Sequence, residues 1–319
     1  MDLAPNEQQQ QIIDSVERLL TRRETFKRAI ELVKADAHDE DLHQELVKLG
    51  FLGIALGDGF GPLDAAIMVE RISYGGGLVS AGASALVYPM VVGESTDETV
   101  ALGTGDGRIP FRFAGNATTA LILQDGDVIR LPLTSDDAER VPNARVGYPL
   151  GRLKVNVGKG ESLGSAAADR MRHWWRVAIA IEIAGAAKAA LDTTVRYVQE
   201  REQFGRPIGS FQAVQHHLAN LTVQVEATRL LALRAASSEA DPVDAAVAAS
   251  HAASTSPNVY RESHQLHGAM GFTREYPLHV WTMRLLVLQR ELGGSMAHAR
   301  EVTRRRYMSA QPRAHVAAI

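Results

Sequence analysis

The second half of the chain constrains the fold most. Four long runs of helical periodicity, 167–201, 211–238, 242–267 and 275–308, follow one another with only short breaks. The breaks are made of turn formers: Pro207-Ile208-Gly209, Asp241-Pro242 and the stretch 268–273. Four consecutive long helices with short connections pack as an antiparallel bundle. Two stretches, 229–236 and 244–253, are rich in Ala and Leu on more than one face. Such helices are buried, and here the expected cover is another subunit.

Ahead of the bundle the texture differs twice. Residues 8–35 read as a helix, with Ile12, Ile13, Val16, Leu19 and Leu20 at helical spacing. Further helices are expected over 41–49, 64–73 and 80–92, with a glycine-rich turn over 50–61 and a stop at Gly75-Gly76-Gly77. After residue 93, short apolar runs alternate with turn residues. Ala120–Leu123 and Val128–Leu131 flank Asp125-Gly126, a hairpin signal. Residues 153–157 alternate as a half-buried strand should. The expected fold is mainly α with a small β domain: N-terminal helices over 1–93, a reduced β domain over 94–164 and a C-terminal four-helix bundle over 165–319.

Composition excludes several chemistries. No cysteine is present among 319 residues, so disulfides, thiolate metal sites and cysteine nucleophiles are out. That fits a reducing, cytoplasmic setting. The net charge of −3 gives no global basic field for nucleic acid or an anionic membrane. The polar, acidic first twenty residues are unlike a signal peptide, and no apolar run is long enough to span a bilayer. There is no G-x-G-x-x-G after a strand, no P-loop, no H-E-x-x-H, no G-x-S-x-G and no Glu-x-x-His pair. His38 and His43 flank acidic residues and read as a solvated polar face rather than a metal site.

Two segments stand out. One runs Arg201-Glu-Gln-Phe204-Gly205-Arg-Pro207-Ile208-Gly209-Ser-Phe211-Gln212, an R-x-x-F-G-x-x-I-x-x-F-Q pattern. The other runs His264-Gln265-Leu-His267-Gly268-Ala-Met-Gly271-Phe272. Both resemble signature segments of the acyl-CoA dehydrogenase family, whose helical, β-barrel and four-helix order is similar to the one read above. The resemblance implies FAD, bound at a subunit interface and shared with a partner subunit. It assigns Arg201 to the adenosine-pyrophosphate end, where a planar guanidinium suits phosphate oxygens. Phe204 would pack near the cofactor, and Gln212, Gln265 and Gly268 match other cofactor-contacting positions. The tail Arg304-Arg305-Arg306 reads as a solvated helix end.

The family pattern then fails in two places. Its chemistry, α,β-dehydrogenation of an acyl-CoA thioester, needs a carboxylate base. Counted without gaps, the two positions where the family carries a glutamate hold Trp175 and Leu292. Glu291 lies one residue off register, which on a continuous helix turns it about 100° away, toward an exposed helix end. Glu182 reads as structural. No T-E-P-x-A-G-S-like segment for the flavin ring is found in the shortened β region.

No catalytic residue is therefore assigned. The pattern resembles the non-catalytic partner of an α2β2 acyl-CoA dehydrogenase, as in bacterial steroid side-chain degradation, with the acyl-CoA held mainly by the catalytic subunit. The alternatives are a self-sufficient homo-oligomer using Glu291 as a displaced base, and a non-enzymatic scaffold.

Overall fold

The computed structural model describes residues 5–308. The ends of the outer two expected domains, 1–4 and 309–319, lie outside the described residues. The chain opens with α1 (Glu7–Arg22), started by a capping box in which Asn6 and Gln9 exchange side-chain-to-backbone hydrogen bonds. The helix expected over 8–35 is broken: Glu24 takes φ 47, and α2 (Thr25–Lys34) begins after it as a separate helix. Periodicity ran through the break because both pieces bury their apolar residues on the same core.

Helix α3 (Glu40–Lys48) follows, then α4 (Pro62–Tyr74) with proline in its first turn. The stretch Gly82–Val87 is a π-helical turn leading into α5 (Tyr88–Val92). His38 and His43 are not solvated. They are 7% and 2% exposed, with ring centroids 5.6 Å apart, and His43 Nε2 lies 2.8 Å from the Asp97 carbonyl oxygen. His38 precedes α3 rather than lying on it, so helical spacing did not apply. Among the described residues no cluster is suited to a metal ion.

The β region holds two small sheets. In the first, β1 (Val100–Thr104) pairs parallel with β3 (Thr119–Gln124), which pairs antiparallel with β4 (Asp127–Pro132). The expected hairpin is therefore present, with Leu123 opposite Val128 and φ above 0 at Asp125 and Gly126. In the second, β6 (Leu150–Leu153) lies between β2 (Phe111–Arg112) and β5 (Ala138–Arg140). The strand expected over 153–157 ends at Leu153, because Asn156 caps a 3-10 turn at Val157–Lys159. A short β7 (Glu161–Ser162) completes the first sheet beside β4.

The bundle is organised around α6 (Ser165–Glu200), a 36-residue helix buried on nearly every side. It packs against α7 (Gln212–Ser237), α8 (Pro242–His267) and α4. The alanine faces of α7 and α8 are covered mostly within the chain, with Ala232, Ala235, Ala236, Ala245, Ala248 and Ala252 all buried. Val223 and Leu230 stay exposed on α7. The fourth expected helix is two: α9 (His279–Leu288) and α10 (Gly294–Thr303). Leu292, Gly293 and Gly294 between them have φ of 50, 86 and 71, so the helix stops and restarts. No helix of the described chain is long and apolar enough to cross a membrane.

Candidate functional site

The residues singled out in the sequence fall into two separate places. The first is an exposed edge where α6 ends. Arg201 closes α6, and the chain turns back through a hairpin of β8 (Glu202–Gln203) and β9 (Arg206–Pro207). The two turn residues, Phe204 and Gly205, have φ of 56 and 79, the sign a primed two-residue turn requires. Glycine takes this conformation freely, whereas an aromatic residue is strained in it. The strained turn holds Phe204 out in solvent, 92% exposed, with only an edge contact to Phe211 at 6.1 Å. Arg206 lies over the Phe211 ring at 4.1 Å.

Backbone bonds fix this edge. Ile208 N–H donates to the Arg201 carbonyl at 2.8 Å, and Gln212 opens α7 two turns of chain later. The end of α8 lies beside it. The Tyr197 and His267 rings stack at 4.3 Å, and Tyr197 Oη donates to the His267 carbonyl at 3.3 Å. Gln265 lies on the outward side of that last turn, and Gly268 ends the helix with φ 57 and ψ −137. A Cβ at Gly268 would meet nothing in this chain, so the backbone angle alone accounts for glycine. All five residues Arg201, Phe204, Gln212, Gln265 and Gly268 are exposed, and the Arg201, Gln212 and Gln265 side chains have no partner among the described residues. Phe272, 74% exposed, is a second aromatic turned largely to solvent, with its ring 5.1 Å from that of His264. A guanidinium, two amides, bare backbone and a projecting ring fit a nucleotide cofactor approached from outside the chain.

The second place is a pocket of about 790 Å³ between the β1–β2 region and the α9–α10 junction. Trp175 and Leu292 both line it, so the two positions where a glutamate was sought converge. Glu291 lines it too, and this corrects the sequence expectation. Its side chain is 14% exposed, not a solvated helix end. The rotation argument assumed a helix running through 291, and the break at Leu292 removes that premise.

Glu291 is held by three donors. Arg112 Nε and Nη2 reach its two oxygens at 2.5 and 3.2 Å, and Trp175 Nε1 donates to Oε2 at 2.7 Å. Arg112 also pairs with Glu182, Nη1 to Oε2 at 2.8 Å, as an ion pair rather than a well-aligned hydrogen bond. Burial pushes the Glu182 carboxyl upward, and Arg112 opposes the shift. Burial works against the Arg112 charge, but Glu182 and Glu291 outweigh it and hold the guanidinium strongly protonated. Two guanidinium groups lie over the Tyr148 ring, Arg112 at 4.7 Å and fully buried Arg284 at 5.3 Å from its centroid. Arg284 donates to the Gly76, Gly77 and Gly147 carbonyls. Gly82 has no Cβ because one would lie 2.6 Å from Glu182 Oε1. The Arg112 link was not legible in the sequence, since Arg112 stands 179 residues from Glu291.

The basic tail is partly tied down. Arg304 and Arg305 both bind Glu301, and Arg305 Nη2 lies 3.2 Å from His173 Nε2. The Arg304 hydrogen bond heads the causes that hold the Glu301 carboxyl near 2.

Comparison with known proteins places this architecture. Residues 6–99 match the acyl-CoA dehydrogenase N-terminal domain, and residues 164–308 match the acyl-CoA dehydrogenase C-terminal domain. The chain belongs to the acyl-CoA dehydrogenase family. It is 32% identical over 202 residues, 60% of this chain, to acyl-CoA dehydrogenase FadE34 of Mycobacterium tuberculosis, but covers 28% of that protein. For three curated relatives the covered share of their own length is 28–37%. Solved structures match almost end to end. The ChsE4-ChsE5 complex from Mycobacterium tuberculosis has a TM-score of 0.82 at 23% identity, covering 98% of this chain and 100% of that one. The Tcur3481-Tcur3483 steroid ACAD G363A variant has a TM-score of 0.77 at 25% identity, covering 93% and 96%.

Proposed function

We propose that this chain is a subunit of a heteromeric, FAD-dependent acyl-CoA dehydrogenase, and that it completes the flavin site of a catalytic partner in an α2β2 assembly. In this reading the chain divides at 1–93, 94–164 and 165–319. One observation carries it: the cofactor-type residues face outward with unspent hydrogen-bonding groups, while the pocket at the family's base positions is closed on its own ions. A site half on the surface of one chain is finished by another. The two heteromeric neighbours, one of them named as a steroid dehydrogenase, support a partner subunit and a steroid acyl-CoA as substrate.

Arg201 would hold the pyrophosphate, Gln212, Gln265 and the backbone at Gly268 would orient the nucleotide, and Phe204 would shield it from water. The flavin, when bound, accepts the hydride. The proton is removed by the partner's base, because Trp175 and Leu292 cannot accept one. Glu291 favours a second reading, a self-sufficient enzyme, by its place in the pocket wall. Against that, both its oxygens already accept from Arg112 and Trp175. Three of the carboxylate's roughly four acceptor positions are thus occupied, which leaves only one, on Oε1, to take a proton.

Visible absorption of the purified chain, alone and co-expressed with a homologous dehydrogenase subunit, tests the proposal. A colourless chain and a yellow complex with less than one FAD per subunit are expected. A lone chain that is yellow and bleaches with an acyl-CoA sinks it and makes Glu291 the base to test.

A further inference from the structure

A second hollow, of about 440 Å³, is bordered by the link into α3, the β2–β3 turn over 114–118 and the segment 133–140 that ends in β5. It shares no lining residue with the pocket that holds Glu291. Four alanines and Gly115 in its wall leave the room, and its volume lies within the usual range for small-molecule sites. Gly115 cannot carry a side chain, because a Cβ there would lie 2.6 Å from Arg140 Cγ and 3.1 Å from Arg140 Cα.

The polar groups of this hollow are largely unspent. The nearly fully buried His38 ring has no hydrogen-bond partner at Nε2. Burial, with His43 adding to it, lowers its pKa to about 4 from 6.5, so the ring is neutral near pH 7. Nδ1 faces the Glu40 carboxylate at 3.4 Å. The single ring proton is therefore assigned to Nδ1, and Nε2 keeps a lone pair. The Asn116 side-chain amide has no partner among the described residues, and its Oδ1 is buried. The Thr118 and Ser135 hydroxyls are likewise unbonded among the described residues. Arg140 uses only Nε, on the Gly115 carbonyl at 3.3 Å. A buried polar atom left unpaired costs about 1–3 kcal/mol, and two of them belong to residues lining this one hollow.

The charges here cancel, since exposed Glu40 and exposed Arg140 are one of each sign. An anion would face Glu40, and a cation would face Arg140. The wall offers lone pairs at His38 Nε2 and Asn116 Oδ1, and N–H groups at Asn116 Nδ2 and Arg140. The group that answers both is a hydroxyl, which donates and accepts through one atom. We infer that this hollow binds a neutral, hydroxyl-rich small molecule, with hydroxyls bonded to Asn116, His38 Nε2 and Arg140. The inference does not rest on the shared-flavin reading. A sugar ring and an open-chain polyol share the required chemistry, and the test separates them.

The test is saturation-transfer NMR titration of the full chain with D-ribose, myo-inositol and glycerol, and with malonate and tetramethylammonium as charged probes. A saturable signal from at least one of the three polyols is expected, and the tighter of ring and open chain identifies the source. Asn116→Leu keeps the size of the side chain and removes its amide. It should weaken that polyol about two- to tenfold, the scale of one neutral hydrogen bond, with the thermal midpoint retained. Ala138→Phe and, independently, Ala37→Phe fill the hollow from two different elements, and either one that keeps the thermal midpoint should abolish the signal. No saturable polyol signal, as when water alone fills the hollow, overturns the inference. So does a polyol affinity unchanged by Asn116→Leu and both filling variants, or tighter binding of malonate or tetramethylammonium than of every polyol.

Discussion

The exposed edge and the sealed pocket floor are built from similar side chains used in opposite ways. At the edge, Arg201 and two glutamines keep their hydrogen-bonding capacity, and a strained turn holds an aromatic ring in water. At the floor, Arg112, Glu182, Glu291 and Trp175 use theirs on one another. A guanidinium in water is free to serve another molecule, whereas a buried one must be matched inside the chain or it destabilises the fold. Binding capacity is thus found where stability does not depend on the residue, and stability where no capacity is left over.

This contrast can be broken by substitution. Arg112→Ala leaves two buried carboxylates without their cation and should cost about 3–5 kcal/mol of stability in urea unfolding. Arg201→Ala should change the stability of the lone chain by less than about 0.5 kcal/mol. In the assembled complex it should weaken FAD by about 1.5–3 kcal/mol, the scale of a hydrogen bond to a charged group, read by equilibrium dialysis. Equal effects of the two variants on the lone chain would abolish the distinction.

Acid sharpens it further. Burial, with Arg176 adding to it, lowers the pKa of fully buried His298 to about 4 from 6.5. The folded state therefore prefers the neutral ring. Its stabilising contribution is complete above pH 6.5 and is lost as the pH falls toward 4. At pH 5 the loss is about 2 kcal/mol. His298→Leu should remove that part of the acid sensitivity, measured as a flatter dependence of the thermal midpoint on pH between 7 and 5. The smallest effect has two signs. Phe204→Gly relieves the positive φ and should stabilise the lone chain by about 1 kcal/mol, while lowering FAD retention in the complex. A Phe204→Gly chain that is destabilised would mean the ring is packed in solution.

Much of the fold was legible because it is local. The four-run periodicity gave α6, α7 and α8 within a few residues, and Asp125-Gly126 gave the β3–β4 hairpin. The break at Glu24 was not legible, since it is neither glycine nor proline and interrupts a pattern that continues on the far side, whereas the break at Leu292 did carry a signal, Gly293-Gly294, masked by apolar periodicity on both sides. His38 and His43 were misplaced for a related reason. Their burial depends on Phe113 and the Asp97 carbonyl, far along the chain.

The sequence by itself determined the order of helices, sheets and bundle, and the Arg201–Gln212 segment with its turn. Each follows from side-chain spacing and backbone preference within a dozen residues. Only the tertiary structure decided that Trp175, Leu292 and Glu291 share one pocket, and that Glu291 is paired rather than exposed. Those facts depend on an arginine from a β-strand meeting carboxylates from two different stretches of the bundle. A buried charge is positioned by its partner in space, and pairing at that sequence distance leaves no local pattern to read.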